Sequence, residues 1–351
     1  MLRKNYLYIH LNKGYGGAER RLARVLQGLS ANDNWKIIFL GENEIIEKFC
    51  RNENISRDQI VILQNELSVI KYLLKNEINI VWFINFDKVI FSFLCLKIFR
   101  RKSTKTVMTI ANFYFSRMIF PSTKMKIAFK FIARRVSIID CLYPSSIHIL
   151  KTNFKRSQIY ATPVPFTKNE FVPRQKENII CYASRFIKEK NPIKFLQAIK
   201  NIKDELSHFH YKVYMCGTGA LEEEIEKYIK DNNLSDLIEL KGFVSTEDIL
   251  PYSKVYIAIM SGENYPSQSL IEAISCGNYC IVGRGYDSDL IAKPEFSEII
   301  DITVDNIENA IIRAIRLCEH DDEKIVNNAY EFAKKTFSIE KSIEYYKKLF
   351  D

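Results

Sequence analysis

The stretch SGENYPSQSLIEAISCG, residues 261–277, contains the pattern of a helix that starts abruptly and ends at a glycine. Ser267 or Ser269 can cap a helix that begins near Pro266, and Gly277 can end it. The first turn of such a helix offers unpaired backbone N–H groups and the positive end of the helix dipole. This stretch therefore predicts an anion site, for which phosphate is a suitable ligand.

Two glutamates flank this helix start. Glu263 lies just upstream and can reach a sugar on one side of a bound phosphate. Glu272 lies further along the helix and can accept hydrogen bonds from the hydroxyls of a ribose on the other side. The spacing therefore fits a nucleotide-sugar whose sugar, diphosphate and ribose lie across one helix terminus.

Both halves of the chain alternate short β-rich runs with amphipathic segments of helix length. This alternation predicts α/β units on mostly parallel sheets, and the continuous apolar runs indicate strands that are covered on both faces. The candidate strands are residues 6–11, 35–40, 59–63, 78–85, 105–111 and 138–145 in the first half, and 178–184, 211–217, 237–243, 255–260 and 278–283 in the second.

A length of 351 residues favours two domains. The best linker candidate is PFTKNEFVPRQKEN, residues 165–178, because it is polar, contains prolines and lacks periodicity. We expect a Rossmann-like domain over 1–168 and a second over 169–336, facing each other across a cleft at the carboxyl ends of their strands. Residues 337–351 have apolar side chains at helical spacing and should form a helix that docks back toward the first domain.

Two other loops that follow predicted strands offer contacts to a ligand. Gly14, Gly16 and Gly17 follow the first strand, where glycine lets a ligand approach the backbone; a simple tight turn is the alternative. Arg185 and Lys190 follow the first strand of the second half, where two cations suit a departing diphosphate. An ordinary charged loop is the alternative for this pair.

Charge is divided unevenly along the chain. Residues 1–170 contain 28 Lys and Arg and 12 Asp and Glu, a net charge of +16, whereas the whole chain has +9, so the remainder has −7. Within residues 97–135, the segment KMKIAFKFIARR (124–135) mixes apolar residues with five cations and no acid.

This basic region suits peripheral binding to an anionic membrane surface through residues 97–135. The alternative is that Phe129 and Ile132 belong to the core and that only the cations are exposed. We expect no nucleic-acid partner, because no helix-turn-helix or zinc pattern accompanies the charge.

Four segments, in this order, carry a family resemblance. They are GGAER at 16–20, the pair Arg185 and Lys190, LKGFVSTEDILPYSKVYI at 240–257, and ENYPSQSLIEA at 263–273. They resemble the glycine motif, the R-x4-K pair, the nucleobase segment and the paired-glutamate signature of retaining glycosyltransferases with the GT-B fold. The chain is similar, nearly end to end, to the large family of bacterial polysaccharide and lipid-sugar transferases known as glycosyl transferases group 1.

Carried over by position, the resemblance implies a role for each matching residue. Glu263 would contact the donor sugar and Glu272 the ribose. Arg185 and Lys190 would stabilise the departing diphosphate, and together with Glu263 they form the implied catalytic set. The other implied contacts to the nucleotide-sugar come from Gly16, Gly17, Phe243, Val244, Ser269 and Leu270.

The chain departs from the family pattern in two places. Eight residues, 264–271, separate the glutamates where the family usually has seven, so an extra residue must be accommodated around Pro266 and Ser267. The functional His that many relatives have after the fifth strand is absent, and Asn112 lies near that position as the candidate that faces the acceptor or sugar. His10, beside the glycine turn, can face the cleft or be packed in the core.

The resemblance implies transfer with retention of the anomeric configuration, without a cofactor. The departing diphosphate can itself take the proton of the acceptor, so no dedicated base is needed. The segment DSD, residues 287–289, resembles a D-x-D metal motif, but we expect it to cap the following helix. Arg185 and Lys190 can do the electrostatic work of a metal, so we expect none to be required.

The leading hypothesis is a cytoplasmic enzyme, peripheral at the inner face of the cell membrane, that transfers sugar from a nucleotide-sugar donor to a growing lipid-linked glycan. Polysaccharide, O-antigen and capsule are the glycan types that this resemblance implies. The eight cysteines lack any C-x-x-C pair, which indicates reduced thiols in the cytosol. Two alternatives are another GT-B enzyme, such as a nucleotide-sugar epimerase, and a non-catalytic glycan-binding or scaffolding relative.

Overall fold

The computed structural model of the chain describes residues 5–10, 17–29, 34–84, 104–162, 166–167 and 171–350. The chain divides into two compact units. Unit 1 comprises Met1–Pro163 and Glu340–Asp351, and unit 2 comprises Val164–Ile339.

Unit 1 is built on a seven-stranded sheet in which every pair of neighbours is parallel. Its strands are β1 (Asn5–His10), β2 (Asn34–Leu40), β3 (Ile60–Leu63), β4 (Ile80–Ile84), β5 (Lys105–Ile110), β6 (Ile138–Cys141) and β7 (Gln158–Ala161). They lie in the order β3-β2-β1-β4-β5-β6-β7. The central strand β4, with the sequence IVWFI, is buried along its whole length, as expected for a strand covered on both faces.

The helices of unit 1 fall between these strands. The described ones that precede unit 2 are α1 (Gly17–Gly28), α2 (Glu44–Asn52), α3 (Glu66–Lys75), α4 (Phe113–Ser116), α5 (Thr123–Ala133) and α6 (Ile147–Asn153). Local sequence sets several of their starts: the side chains of Asn43, Asn65 and Ser122 each accept a hydrogen bond from a first-turn N–H group.

Unit 2 repeats this architecture with six parallel strands. They are β8 (Glu177–Ala183), β9 (Lys212–Cys216), β10 (Ile238–Gly242), β11 (Ser253–Ala258), β12 (Tyr279–Gly283) and β13 (Ser297–Ile300), in the order β10-β9-β8-β11-β12-β13. The helices are α7 (Pro192–Asn201), α8 (Lys203–His208), α9 (Glu222–Asp231), α10 (Gln268–Ser275) and α11 (Val304–Thr336). Helix α11 is broken at Asp321, where φ is −129°.

The strand order reverses beside the first strand of each unit. In unit 1, β1 lies between β2 and β4, and in unit 2, β8 lies between β9 and β11. This is the doubly wound arrangement that the sequence predicted. Ligands of such sheets bind outside the carboxyl ends of the strands, next to the reversal.

All eleven strands predicted from the sequence are present, and two strands were missed. These are β7, with the sequence QIYA, and β13, with the sequence SEII. Both are four-residue strands at the edge of their sheet. Only one residue of β7 and two of β13 are buried, so these strands lack the continuous apolar run that marked the central strands.

The last helix, α12 (Ile339–Phe350), packs on the sheet of unit 1. The hydroxyls of Tyr345 and Tyr346 donate hydrogen bonds of 2.7 Å and 2.9 Å to the two carboxylate oxygens of Asp140 on β6. Thr109 and Thr162 donate to the same carboxylate at 2.9 Å and 2.6 Å. Asp140 is fully buried, so these four hydroxyls replace the water that its charge would otherwise need.

Within the described ranges, every helix is too short or too polar to cross a membrane.

Candidate functional site

Three loops of unit 2 follow strands that end at the same edge of the sheet. They come after β8, β11 and β12 and contain residues 184–191, 259–267 and 284–288. Because the carboxyl ends of parallel strands share one edge, side chains of these loops can act on a single ligand. We refer to this edge as the carboxyl edge.

Arg185 and Lys190 lie in the first of these loops, as the sequence predicted. Tyr182 fixes the loop, because its hydroxyl donates a hydrogen bond of 2.8 Å to the backbone oxygen of Lys190. Burial, and secondly the charge of the exposed Arg185, lower the pKa of Lys190 to about 8. The two cations therefore lie close enough to interact, as a shared anionic ligand would require.

Lys190 also connects this loop to the loop after β11. Its Nζ donates a hydrogen bond of 3.1 Å to Oδ1 of the buried Asn264. A second connection runs through Asn191, whose Nδ2 donates to the Ser261 hydroxyl at 3.1 Å. Lys190 and Asn191 are thus held against the segment that contains the paired glutamates.

Helix α10 begins at Gln268 with Ser267 at the N-cap position. The Ser267 side chain makes no capping hydrogen bond in the described structure, so the backbone N–H groups of Ser269 and Leu270 have no acceptor from the cap. The helix ends before Gly277, whose φ is +78°, as the sequence predicted. The start of α10 is therefore able to bind an anion.

Glu272 on α10 is only 5% exposed, and both of its carboxylate oxygens are held by neighbouring side chains. The hydroxyl of Thr246 donates a hydrogen bond of 3.0 Å to Oε2, and Nε2 of Gln268 donates one of 3.1 Å to Oε1. Gln268 also donates to the backbone oxygen of Phe166 at 3.3 Å. The carboxylate is therefore oriented before any ligand arrives.

Glu263 is 7% exposed and holds backbone N–H groups of two loops. Its Oε1 accepts from the N–H of Tyr265 at 2.8 Å, and its Oε2 accepts from the N–H groups of Tyr286 and Asp287 at 2.6 Å and 3.2 Å. Burial raises the pKa of Glu263, and these three donors offset part of that rise. A direct contact of Glu263 with a sugar stays a prediction.

Phe243 and Val244 follow β10 and are both exposed, the Phe243 side chain to 90%. Gly242 before them has a φ of +62°, a conformation that favours glycine and turns the chain at the end of β10. Their contact with a nucleobase stays a prediction.

The candidates in unit 1 have different surroundings. Gly16 and Gly14 lie outside the described residues, and Gly17 is the first residue of α1. Oδ1 of Asn112 accepts a hydrogen bond of 3.1 Å from the backbone N–H of Phe115 and so caps α4. His10 is buried and packs against aromatic rings, which agrees with a role in the core.

The basic region of unit 1 differs in part from the prediction. Residues 97–103 lie outside the described residues. On α5, Phe129 and Ile132 are completely buried, so they belong to the core and are not available to a membrane. Ile127 is 64% exposed, and Lys124 and Lys126 beside it are exposed as well.

The segment of Asp287 and Asp289 lies in the third loop of the carboxyl edge. Asp287 occupies the N-cap position of a short 3-10 turn, Ser288–Leu290, but its side chain does not make the capping hydrogen bond that we expected. The described part of the chain contains no group of three or more His, Cys, Asp or Glu residues arranged to hold a metal ion.

Sequence reasoning missed the side chains that support these residues. Gln268 was detectable, since it precedes Glu272 by four residues on one helix and so faces it. Thr246, Asn264 and Tyr256 gave no local signal. Tyr256 is buried on β11, and its hydroxyl lies 2.7 Å from the Ser269 hydroxyl at the start of α10.

Comparison with known proteins gives a family match for unit 2. Residues 164–335 match the family model of glycosyl transferases group 1. The matched residues nearly coincide with Val164–Ile339 and contain the cation pair, the start of α10, Glu263 and Glu272.

Among sequence relatives, the chain is similar to a Campylobacter jejuni protein, N-acetylgalactosamine-N,N'-diacetylbacillosaminyl-diphospho-undecaprenol 4-alpha-N-acetylgalactosaminyltransferase. The two are 28% identical over 167 residues, which are 46% of this chain and 42% of that protein. The match thus spans less than half of the length of this curated relative.

Solved structures show the fold of the whole chain. HepE of Anabaena, crystallised with UDP, has a TM-score of 0.78 at 12% identity, over 99% of each chain. The sucrose-phosphate synthase of Thermosynechococcus elongatus has a TM-score of 0.76 at 15% identity, over 99% of this chain and 98% of that one. The chain therefore has the GT-B fold, as the resemblance implied.

Proposed function

We propose that the protein is a retaining glycosyltransferase that moves a sugar from a nucleotide-sugar to a lipid-linked glycan, without a metal ion. The observation that carries this proposal is the start of α10, where the N-cap side chain leaves the first N–H groups to a ligand. The interacting cations Arg185 and Lys190 belong to a loop at the same edge. Together they suit a diphosphate, and Glu272 suits the ribose.

In this reaction the residues of unit 2 mainly position the donor and stabilise the leaving group. Backbone N–H groups of Ser269 and Leu270 would bind the diphosphate, and Arg185 and Lys190 would neutralise its growing charge as the glycosidic bond to phosphate breaks. The diphosphate would then take the proton of the attacking hydroxyl. No metal ion is required in this scheme.

The remaining predicted contacts complete the proposed substrate path. Phe243 and Val244 would hold the base, and Gly16 and Gly17 would lie against the donor. Asn112 would face the acceptor or sugar. A lipid-linked acceptor is supported by the name of the Campylobacter relative, which acts on a sugar linked to diphospho-undecaprenol.

The first experiment is nucleotide release from a panel of UDP-, GDP- and other nucleotide-sugars, with and without membrane extract as acceptor. We expect acceptor-dependent release from one donor, lost in Glu272→Ala and Lys190→Ala. The exposed residues Glu226 and Lys230 on α9 provide the matched controls Glu226→Ala and Lys230→Ala, which should keep full activity. Excess chelator should leave the rate unchanged, and the product should have the anomeric configuration of the donor.

Other outcomes identify other functions. Interconversion of the donor sugar without acceptor would indicate an epimerase. Nucleotide-sugar binding without turnover, with every acceptor fraction present, would indicate a non-catalytic glycan-binding relative, and lack of any nucleotide binding would refute the site.

We further propose that unit 1 binds an anionic membrane surface at the cytoplasmic face. Exposed Lys124, Lys126 and Ile127 on α5, and exposed Tyr114 and Ile119 before it, combine cations with apolar side chains. Binding of this kind depends on anionic lipid and weakens with salt. No nucleic acid is part of this proposal.

Sedimentation with vesicles tests the membrane proposal. Wild type should bind vesicles that contain phosphatidylglycerol and not those of phosphatidylcholine alone. Binding should fall several-fold in Lys124→Glu/Lys126→Glu and in Ile127→Ser. The exposed residues Lys151 and Lys155 provide a control of equal charge, Lys151→Glu/Lys155→Glu. An equal loss in this control would show that only net charge matters.

A further inference from the structure

Hydrogen bonds within the protein use most of the acceptor positions of the Glu263 carboxylate, so few are left for a substrate. A carboxylate offers about four lone-pair positions. Three are used by the N–H groups of Tyr265, Tyr286 and Asp287, at 2.6 to 3.2 Å. These donors come from two different loops of the carboxyl edge, so the carboxylate joins the loop after β11 to the loop after β12.

The backbone at Gly285 lies close to one oxygen of this carboxylate. A Cβ atom at this position would lie 2.5 Å from Oε1 of Glu263 and 2.9 Å from the Ser288 hydroxyl. Gly285 itself donates a hydrogen bond of 2.9 Å to that hydroxyl. The backbone of the loop is therefore packed closely on Glu263, and a side chain at residue 285 would have to displace the carboxylate.

Tyr286 combines a backbone that is held by Glu263 with an exposed side chain. Its backbone N–H makes the shortest of the three hydrogen bonds to Glu263, yet its side chain is 61% exposed. The loop is thus fastened at its backbone and presents an aromatic ring at the carboxyl edge. A sugar ring has an apolar C–H face that can pack on such a ring, while its hydroxyls remain available to polar groups.

We propose that Glu263 is a positioning residue that anchors the loop 284–288, and that the ring of Tyr286 on this loop is the surface that contacts the donor sugar. This inference rests on the proposed function for the existence of a nucleotide-sugar at the edge. It also accounts for the eight residues that separate Glu263 from Glu272, where the family usually has seven. Seven residues, 265–271, separate Asn264 from Glu272, and it is Asn264 that contacts Lys190.

Affinity measurements distinguish protein contacts to the sugar of the donor from contacts to its nucleotide. The probes are the donor found in the release panel and its free nucleoside diphosphate, measured by calorimetry on the full chain. Tyr286→Ala should weaken the nucleotide-sugar by about tenfold and leave the nucleoside diphosphate unchanged, whereas Tyr286→Phe should behave as wild type. Tyr252, an exposed tyrosine just before β11, gives the control Tyr252→Ala, which should change neither.

Hydrogen exchange tests the anchor without relying on activity. In Glu263→Gln the amide group cannot accept all three N–H groups, so exchange in the peptide containing 284–288 should become at least tenfold faster, with peptides of α7 unchanged as the internal control. The same variant should reproduce the affinity pattern of Tyr286→Ala.

The outcomes separate this inference from the proposed function. If Tyr286→Ala keeps its affinity for the nucleotide-sugar while Glu263→Gln loses it without faster exchange, Glu263 contacts the sugar directly and the inference is wrong. If wild type binds neither probe, the proposed function fails, and the exchange experiment still decides whether Glu263 anchors the loop.

Discussion

Lys190 and Glu272 illustrate how single side chains of unit 2 are prepared for a ligand. Lys190 is half-buried beside the charge of Arg185, and its ammonium group makes one hydrogen bond to Asn264. Glu272 is nearly buried and is oriented by Thr246 and Gln268. In both cases the cost of burying a charge is offset when an oppositely charged or hydroxyl-bearing ligand binds.

The depressed pKa of Lys190 predicts a pH dependence. The ammonium form that binds a diphosphate predominates below a pKa of about 8 and is lost above it. We therefore expect kcat/KM to fall as pH rises through this value, by about tenfold per unit. Bound donor stabilises the cation, so the corresponding fall in kcat should occur at higher pH; we call this fall the alkaline limb of the profile.

A pH profile of Lys190→Arg is the control. The guanidinium group stays protonated throughout this range, so the limb near this pH should disappear even if the overall rate is lower. Persistence of the limb in Lys190→Arg would assign it to another group.

Thr246 is expected to act through Glu272. Thr246→Val keeps the shape of the side chain and removes the hydroxyl that donates to Oε2 of Glu272 at 3.0 Å. Loss of a hydrogen bond to a charged group predicts about tenfold weaker binding of the nucleoside diphosphate by calorimetry. Thr246→Ser should restore it, whereas failure of the serine variant to do so would point to lost packing instead of lost orientation.

At the scale of elements, α12 shows how a surface helix is fixed by one buried charge. The carboxylate of Asp140 receives four hydroxyls, two of them from adjacent tyrosines of the helix. Trp82 on β4 extends this network, since its Nε1 donates to the Thr109 hydroxyl at 2.8 Å. Aromatic contacts of Tyr346 and Phe350 with Trp82 add apolar burial on the same surface.

Tyr346→Phe should destabilise unit 1. The change removes one hydrogen bond to Asp140 and leaves the ring in place, so we expect the free energy of unfolding to fall by about 1.5–3 kcal/mol. Chemical denaturation, monitored by tryptophan fluorescence, measures this free energy. The two tryptophans of the chain, Trp35 and Trp82, are both in unit 1. Tyr330→Phe on α11 should change it by less than about 0.5 kcal/mol; equal losses would exclude a specific role for the Asp140 contact.

At the scale of the whole molecule, the last helix belongs to the unit that contains the beginning of the chain. Unit 2 is continuous, whereas unit 1 requires residues 340–351, which are separated from the rest of it by all of unit 2. The two units should therefore respond differently to shortening of the chain at its end.

Removal of residues 340–351 should weaken unit 1 and spare unit 2. The truncation exposes the surface that Tyr346, Leu349 and Phe350 bury, at about 2 kcal/mol or more for each. The fluorescence transition should move to lower denaturant or disappear, while nucleoside diphosphate binding by unit 2 stays within about twofold of wild type. A loss of nucleotide binding that matches the loss of unit 1 would show that the units do not fold independently.

Sequence reasoning succeeded where a property depends on near neighbours along the chain. The central strands were visible because burial on both faces requires continuous apolar runs, and α10 was visible from its polar start, its apolar face and Gly277. The family resemblance and the positions of Arg185 and Lys190 relied on spacing in the same way. The four-residue edge strands β7 and β13 were missed because only one residue of β7 and two of β13 are buried, which leaves no such run.

The α/β class, the parallel strands, the start and end of α10 and the cation pair after β8 follow from the order of residues along the chain. The groups that those side chains contact depend on how distant segments pack together. Glu263 binds N–H groups up to 24 residues away, and Asp140 binds tyrosines 205 and 206 residues away. Such contacts depend on strand order and loop packing, whereas sequence periodicity reports only on residues within a few turns, so no local pattern could have specified them.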